Sequence, residues 1–170
     1  MVMISLFTAI MCVLAPFTVP VGITPLSLST LVLYITAIIM GKYAVFPILL
    51  YLFIGSVGLP VFSGGIGGFD RLFGPTGGFL IGYIPCAVIS GLFADKFKNS
   101  RVLSFTGILI GTAVMYLLGV PWMIYVLGAK SMSDALAVVV VNILPFIPVD
   151  FVKMFLAVIF GHSIKERLKI

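Results

Sequence analysis

Leu144-Pro145-Phe146-Ile147-Pro148-Val149-Asp150-Phe151-Val152-Lys153-Met154-Phe155 sets two opposite charges three residues apart inside an apolar run. The run reads as the last membrane-spanning helix. A charge near the bilayer centre costs about 2.5–3.5 kcal/mol on insertion scales, so charges at that depth face a partner or an aqueous cavity. A spacing of three places Asp150 and Lys153 on neighbouring positions of one helical face. Function is expected at this pair.

The rest of the chain explains why the pair stands out. Of 170 residues, 62% are hydrophobic and only 9% charged, with a mean hydropathy of +1.32. A soluble domain of this size cannot hide so much apolar surface, so the chain reads as an integral membrane protein. Its apolar segments are too long and too uniform for barrel strands, which alternate apolar and polar residues. Helices are expected. Met1 to Ala15 has no basic n-region and no small-residue cleavage site before Pro16, so it reads as a retained first helix. Cys12 and Cys86 fall inside apolar spans and read as small buried hydrophobes, without the spacing of a disulfide or metal pair. The net charge of +5 is explained by its distribution along the chain, with no nucleic acid partner.

Breaks at Pro16 to Pro25, Gly41-Lys42, Gly58 to Gly78, Asp95 to Arg101 and Gly128 to Asp134 leave six segments in one membrane domain over residues 1–170. The expected helices are 3–19, 26–40, 43–57, 77–94, 102–120 and 134–164. The second and third are short for a bilayer that favours about 20 residues. Residues 120–128 read as a short outer helix or a continuation of the fifth. With both termini cytoplasmic, Lys42, Lys96, Lys98, Arg101, Lys165, Arg167 and Lys169 lie inside, and Arg71 and Lys130 outside. That bias is what the positive-inside rule expects. Asp70, Asp95, Asp134 and Glu166 belong to loops or helix ends, leaving Asp150 as the buried acid. From Lys165 back to Asp150 is roughly 22 Å of helix, which puts the pair in the outer half of the membrane. Pro145 and Pro148 remove backbone donors and disturb the helix. Broken helices at membrane depth are tolerated where they line a cavity, so the site should open outward. No internal repeat of the kind found in many secondary transporters is evident.

A second constellation runs Leu59-Pro60-Val61-Phe62-Ser63-Gly64-Gly65-Ile66-Gly67-Gly68-Phe69-Asp70-Arg71-Leu72-Phe73-Gly74-Pro75-Thr76-Gly77-Gly78-Phe79. Glycine allows close backbone approach, and the apolar residues between the glycines are unusual for a solvated linker. The stretch reads as a lid over the bundle; the plainer alternative is a flexible outer connection. It is not a phosphate-binding loop, because no Gly-Lys-Ser/Thr follows the glycines. Nothing else in the chain is suited to hydrolysing ATP, so ATP-driven transport would need another polypeptide.

Gly64-Gly65-Ile66-Gly67-Gly68, then Phe73-Gly74-Pro75-Thr76-Gly77-Gly78-Phe79, with Pro148-Val149-Asp150-Phe151-Val152-Lys153 late in the chain, resembles the BioY family. Its members are the biotin-specific substrate-binding (S) subunits of energy-coupling-factor (ECF) vitamin transporters. The resemblance covers nearly the whole chain. It implies a prokaryotic, multi-pass cell-membrane protein that is not an enzyme and needs no cofactor. Its partners would be biotin, the lipid bilayer, a transmembrane coupling subunit and two cytoplasmic ATPases. Asp150 would accept a hydrogen bond from a ureido N–H of biotin, and Lys153 would pair with the valerate carboxylate. Gly64, Gly65, Gly67 and Gly68, with Phe69, would bind the substrate from the loop side and close the outer mouth. Ser5-x-x-x-Ala9 on the first helix would be the counterpart of the face that docks on the coupling subunit, with close packing inside this chain the equally open reading. The chain departs from the family at Pro25-Leu26-Ser27-Leu28-Ser29, where members often carry Pro-x-Thr-Leu-Gln.

Other residues invite plainer readings. Gly107-x-x-x-Gly111 suits close helix packing within the chain. His162 reads as a contact at a helix C-terminus. Tyr116, Trp122 and Tyr125 read as interfacial anchors, while Tyr34, Tyr43, Tyr51 and Tyr83 are candidates to line a pocket. The same residues admit two rival functions. One is a small ion-coupled transporter or channel in which Asp150 is a protonatable carboxylate tuned by Lys153. The other is a structural membrane partner with no small-molecule ligand.

Overall fold

The computed structural model describes residues 1–21, 24–97 and 100–168. Lys98 and Lys169, both expected on the inner side, lie outside the described residues. The chain opens with α1 (Val2–Leu14), followed by a hairpin of β1 (Thr18–Val21) and β2 (Thr24–Ser27). Next come α2 (Ser29–Met40), a 3-10 turn at Gly41–Ala44, α3 (Val45–Ser56) and the short α4 (Asp70–Phe73). The remaining helices are α5 (Gly77–Lys96), α6 (Arg101–Val126), α7 (Met132–Asn142) and α8 (Phe146–Leu168). Among the described residues, four stretches are long and apolar enough to cross a membrane: Ser29–Ser56, Gly77–Lys96, Arg101–Val126 and Phe146–Arg167. The helices α1 and α7 are apolar but shorter.

The first of those stretches folds back on itself. Gly41 has a φ of 57°, and the Asp95 carboxylate occupies the space that a Cβ would need there. The same carboxylate accepts the Lys42 backbone N–H at 2.8 Å, which pins the turn to the end of α5. At its other end, α3 runs into the glycine-rich stretch, whose Phe62 and Ser63 share a cavity wall with Ser29 and Thr30 at the start of α2. The two 12-residue helices therefore run antiparallel.

Glycines let α5 and α6 pack closely. A side chain at Gly82 would meet Met115, one at Gly107 would meet Phe93, and one at Gly111 would meet Ser90 and Cys86. The Gly107 and Gly111 pair therefore lies in this internal interface. Across the bundle, Gly161 of α8 packs on Ile38 of α2, and the Thr112 hydroxyl donates to Tyr34 at 2.9 Å. Leu33, Tyr34, Ile48, Tyr51 and Ile108 fill the core. Val102, Leu117 and Phe155 instead point outward and exposed, as lipid-facing side chains do.

Several boundaries differ from the sequence expectation, and the second helix, expected at 26–40, begins only at Ser29 because Leu26 and Ser27 belong to β2. The first segment, expected at 3–19, ends as helix at Leu14, where Pro16 lacks the N–H for the next helical hydrogen bond. The β-branched residues Thr18, Val19 and Thr24 then favour an extended ribbon, in which Thr18 pairs with Ser27 and Val19 with Leu26. The fifth helix, expected over 102–120, runs on to Val126 with Pro121 inside it, so residues 120–126 are a continuation and not a separate short helix. The expected last segment, 134–164, is divided into α7 and α8. Pro145 breaks it by disfavouring helical backbone at Leu144. Pro148 falls in the first turn of α8, where a missing N–H leaves no bond unmade. A capping box of Ser131 and Asp134 starts α7.

Candidate functional site

The first turns of α8 carry Asp150 and Lys153 into the bundle, where they are only 3% and 8% exposed. Lys153 Nζ lies 3.3 Å from Asp150 Oδ1. It also donates to the Ser27 carbonyl at 2.8 Å and to Thr30 Oγ1 at 3.1 Å. Asp150 Oδ2 accepts from the Tyr116 hydroxyl at 2.6 Å, and the Thr30 hydroxyl reaches Asp150 Oδ1 at 3.5 Å. Four elements thus converge: the end of β2, the first turn of α2, the C-terminal half of α6 and the start of α8. A buried ion pair is tolerable only with good geometry and further hydrogen bonds, and all three ammonium protons have acceptors here.

The pair forms part of the wall of a cavity of about 360 Å³, a size suited to a small molecule. Phe62 and Ile66 contribute from the glycine-rich stretch, Phe79 and Leu80 from α5, Met115 from α6 and Phe146 from α8. Between these apolar walls lie Ser29 and Tyr83, whose hydroxyls are 2.7 Å apart. Asn142 from α7 and Arg71 from α4 complete the polar lining that bears on the chemistry. The arrangement offers a carboxylate acceptor, cations and apolar surface to one guest.

The glycine-rich stretch is folded, not loose. Phe62 N–H donates to the Ile66 carbonyl at 2.9 Å and Gly65 N–H to the Phe62 carbonyl at 3.0 Å. The buried Phe62 ring meets Tyr51 edge-on, with centroids 5.5 Å apart. Gly68 N–H bonds the Gly55 carbonyl at 2.8 Å, and the Trp122 indole N–H bonds the Gly74 carbonyl at 3.0 Å. The stretch is tied to α3 on one side and α6 on the other.

Of the residues expected at the site, Asp150, Lys153 and Gly64 line the cavity together. Gly65 shapes the turn beside Gly64. Gly67 packs against the carbonyls of Gly58 and Leu59, Gly68 bonds α3, and Phe69 is 61% exposed beside the Phe73 ring. These four are not part of the cavity lining. Ser5 and Ala9 are exposed on α1, while Thr8 between them turns inward to bond the Pro47 carbonyl at 3.4 Å.

Tyr116 corrects the anchor reading: its hydroxyl holds Asp150 inside the bundle. Trp122 ties down the glycine stretch, and Tyr125, at 81% exposed, keeps the place of an interfacial residue. Of the candidate tyrosines, Tyr83 lines the cavity, Tyr34 and Tyr51 are buried in the core, and Tyr43 is exposed. His162 lies 3.1 Å from Ser104 Oγ on α6, so it joins two helices as well as lying near the end of one. Sequence reasoning did not assign Thr30, Asn142 or Arg71 to the site. Their polarity close to helix ends and loops was the available signal.

Fold and site together define a polytopic helical membrane protein with a ligand-sized cavity built around a buried ion pair. The BioY family profile matches residues 1–170, and the chain belongs to that family. It is 33% identical over 167 residues to the biotin transporter BioY2 of Lactococcus lactis, covering 98% of this chain and 90% of that one. It is 32% identical over 163 residues to the biotin transporter BioY of Thermotoga maritima, covering 95% and 93%. A crystal structure of the S-component for biotin from an ECF-type ABC transporter superimposes with a TM-score of 0.84 at 23% identity, over 96% of this chain and 88% of that one. At that identity the likeness establishes the S-component fold.

Proposed function

We propose that the chain takes up biotin across the cell membrane as the S-component of an ECF-type ABC transporter. The observation that carries the reading is the buried cluster of Asp150, Lys153, Thr30 and Tyr116 beside a ligand-sized cavity in a BioY-family chain. Biotin is a flat polar ring system joined by an apolar chain to an anion. Its pocket needs a hydrogen-bond acceptor, positive charge and apolar walls. Asp150 accepts a ureido N–H, Lys153 answers the carboxylate, and Phe62, Phe79 and Met115 flank the apolar parts. Gly64, Gly65, Gly67, Gly68 and Phe69 act as a unit: Gly64 faces the guest, and the others give the cover its shape and attachment.

The membrane is crossed six times, by α1, α2, α3, α5, α6 and the α7–α8 unit, with both termini cytoplasmic and the glycine-rich stretch outside. Supporting this, the α2–α3 turn is bonded to the end of α5, and Arg101 at the start of α6 pairs with Glu166 near the end of α8 at 3.6 Å. The ends rich in basic residues therefore gather on one side, which suits the cytoplasmic face. Transport proceeds by capture, closure of the glycine stretch and reorientation of the bundle. A transmembrane coupling subunit, docked on the exposed Ser5 and Ala9 face, and two ATPases drive it.

The test is uptake of labelled biotin into proteoliposomes holding this chain with its coupling and ATPase subunits. Uptake should require ATP on the ATPase side and persist when ion gradients are collapsed. Uptake by the chain alone, driven by a proton or sodium gradient, would instead identify an ion-coupled transporter.

A further inference from the structure

The cavity's anchor pair is electrically balanced before any ligand arrives. Asp150 and Lys153 are both buried and 3.3 Å apart, so their charges cancel. A carboxylate guest would add an unbalanced negative charge, which is costly away from water unless a second cation meets it. Lys153 cannot supply that balance by itself, because its charge offsets Asp150 and its protons already have the Ser27 carbonyl, Thr30 and Asp150 as acceptors. Arg71 is the second cation on the cavity wall. It is partly buried on α4. The ion pairs formed among the described residues, Asp150–Lys153 and Arg101–Glu166, do not include it.

Resting on the biotin reading above, we propose that Arg71 is a specificity-determining residue that receives the ligand's carboxylate from the loop side while Lys153 meets it from α8. The loaded site is then neutral. A guanidinium suits the task because its planar fork can give two parallel hydrogen bonds to one carboxylate. The anion also links two elements of the wall, since Arg71 belongs to the glycine-rich stretch and Lys153 to α8. The cover is therefore held most firmly over a guest that carries a carboxylate.

The experiment is calorimetric titration of the purified wild-type chain, Arg71→Ala and Arg71→Lys with biotin and with the uncharged biotin methyl ester. Arg71→Ala should weaken biotin by about ten- to a hundredfold, the range for hydrogen bonds to charged groups, and shift the ester far less. Arg71→Lys should recover part of the loss for biotin. The proposal is overturned if Arg71→Ala binds biotin as the wild type does, or loses both ligands equally. A wild-type chain that binds neither ligand overturns the underlying biotin reading, a distinct result from a binding wild type with an indifferent Arg71.

Discussion

The Tyr116 hydroxyl lies 2.6 Å from Asp150 Oδ2, and with Thr30 it sets which way the carboxylate faces. Tyr116→Phe should weaken biotin binding by about tenfold, the loss of one hydrogen bond to a charged group, as measured by calorimetry. Asp150→Ala is more severe, because it strands the Lys153 ammonium in a buried site. Breaking such a pair costs about 3–5 kcal/mol, so the variant should show a lowered thermal midpoint in detergent as well as lost binding. An unchanged midpoint would mean that the pair is not buried as described. Asp150 and Lys153 could be read from the sequence because charge is costly in an apolar helix. Tyr116 could not, since a tyrosine near a helix end serves equally well at the membrane interface. Thr30 was silent for another reason: a hydroxyl can bond local backbone, so a threonine within an apolar run raises no alarm.

At the level of elements, close approach between helices decides which residues can change. A methyl group at Gly41 would meet the Asp95 carboxylate and would have to adopt a φ of 57°. Gly41→Ala should destabilise the α2–α3 turn by about 1–3 kcal/mol, read as a drop in thermal midpoint. Gly111→Leu should separate α6 from α5, whose Ser90 and Cys86 face that glycine. Overpacking of this sort costs about 1–3 kcal/mol, and the same thermal assay reports it. The apolar segments and their order were legible because their composition permits little but helix. Their ends were less so. The stretch after Leu14 reads as apolar on hydropathy, and only the pairing of residues 18–21 with 24–27 distinguishes a ribbon from more helix. The division at Pro145 was visible as a disturbance. That it separates two helices depends on how α7 and α8 pack, which lies beyond local sequence.

For the whole molecule, capture and transport are, on the proposed function, separable tasks on different surfaces. The cavity lies among α2, α5, α6 and α8, whereas Ser5 and Ala9 are exposed on α1. Ala9→Trp should leave biotin affinity unchanged and abolish ATP-dependent uptake in reconstituted vesicles. Equal activity of variant and wild type would remove this face from the docking surface. That the glycine-rich stretch is more than a solvated linker was legible from the apolar residues between its glycines. Its division into a wall-forming Gly64 and a supporting Gly67 and Gly68 depends on contacts with the end of α3 and the residues after it. The central claim is that the cavity beside Asp150 and Lys153 captures biotin. Its most direct test is calorimetric titration of the purified chain with biotin in detergent, without an ion gradient or partner subunits, alongside Lys153→Ala. The account predicts saturable binding of one biotin per chain, with Lys153→Ala weakening biotin far more than a carboxyl-free analogue. Absence of binding by the wild-type chain, or equal losses for both ligands, would contradict it.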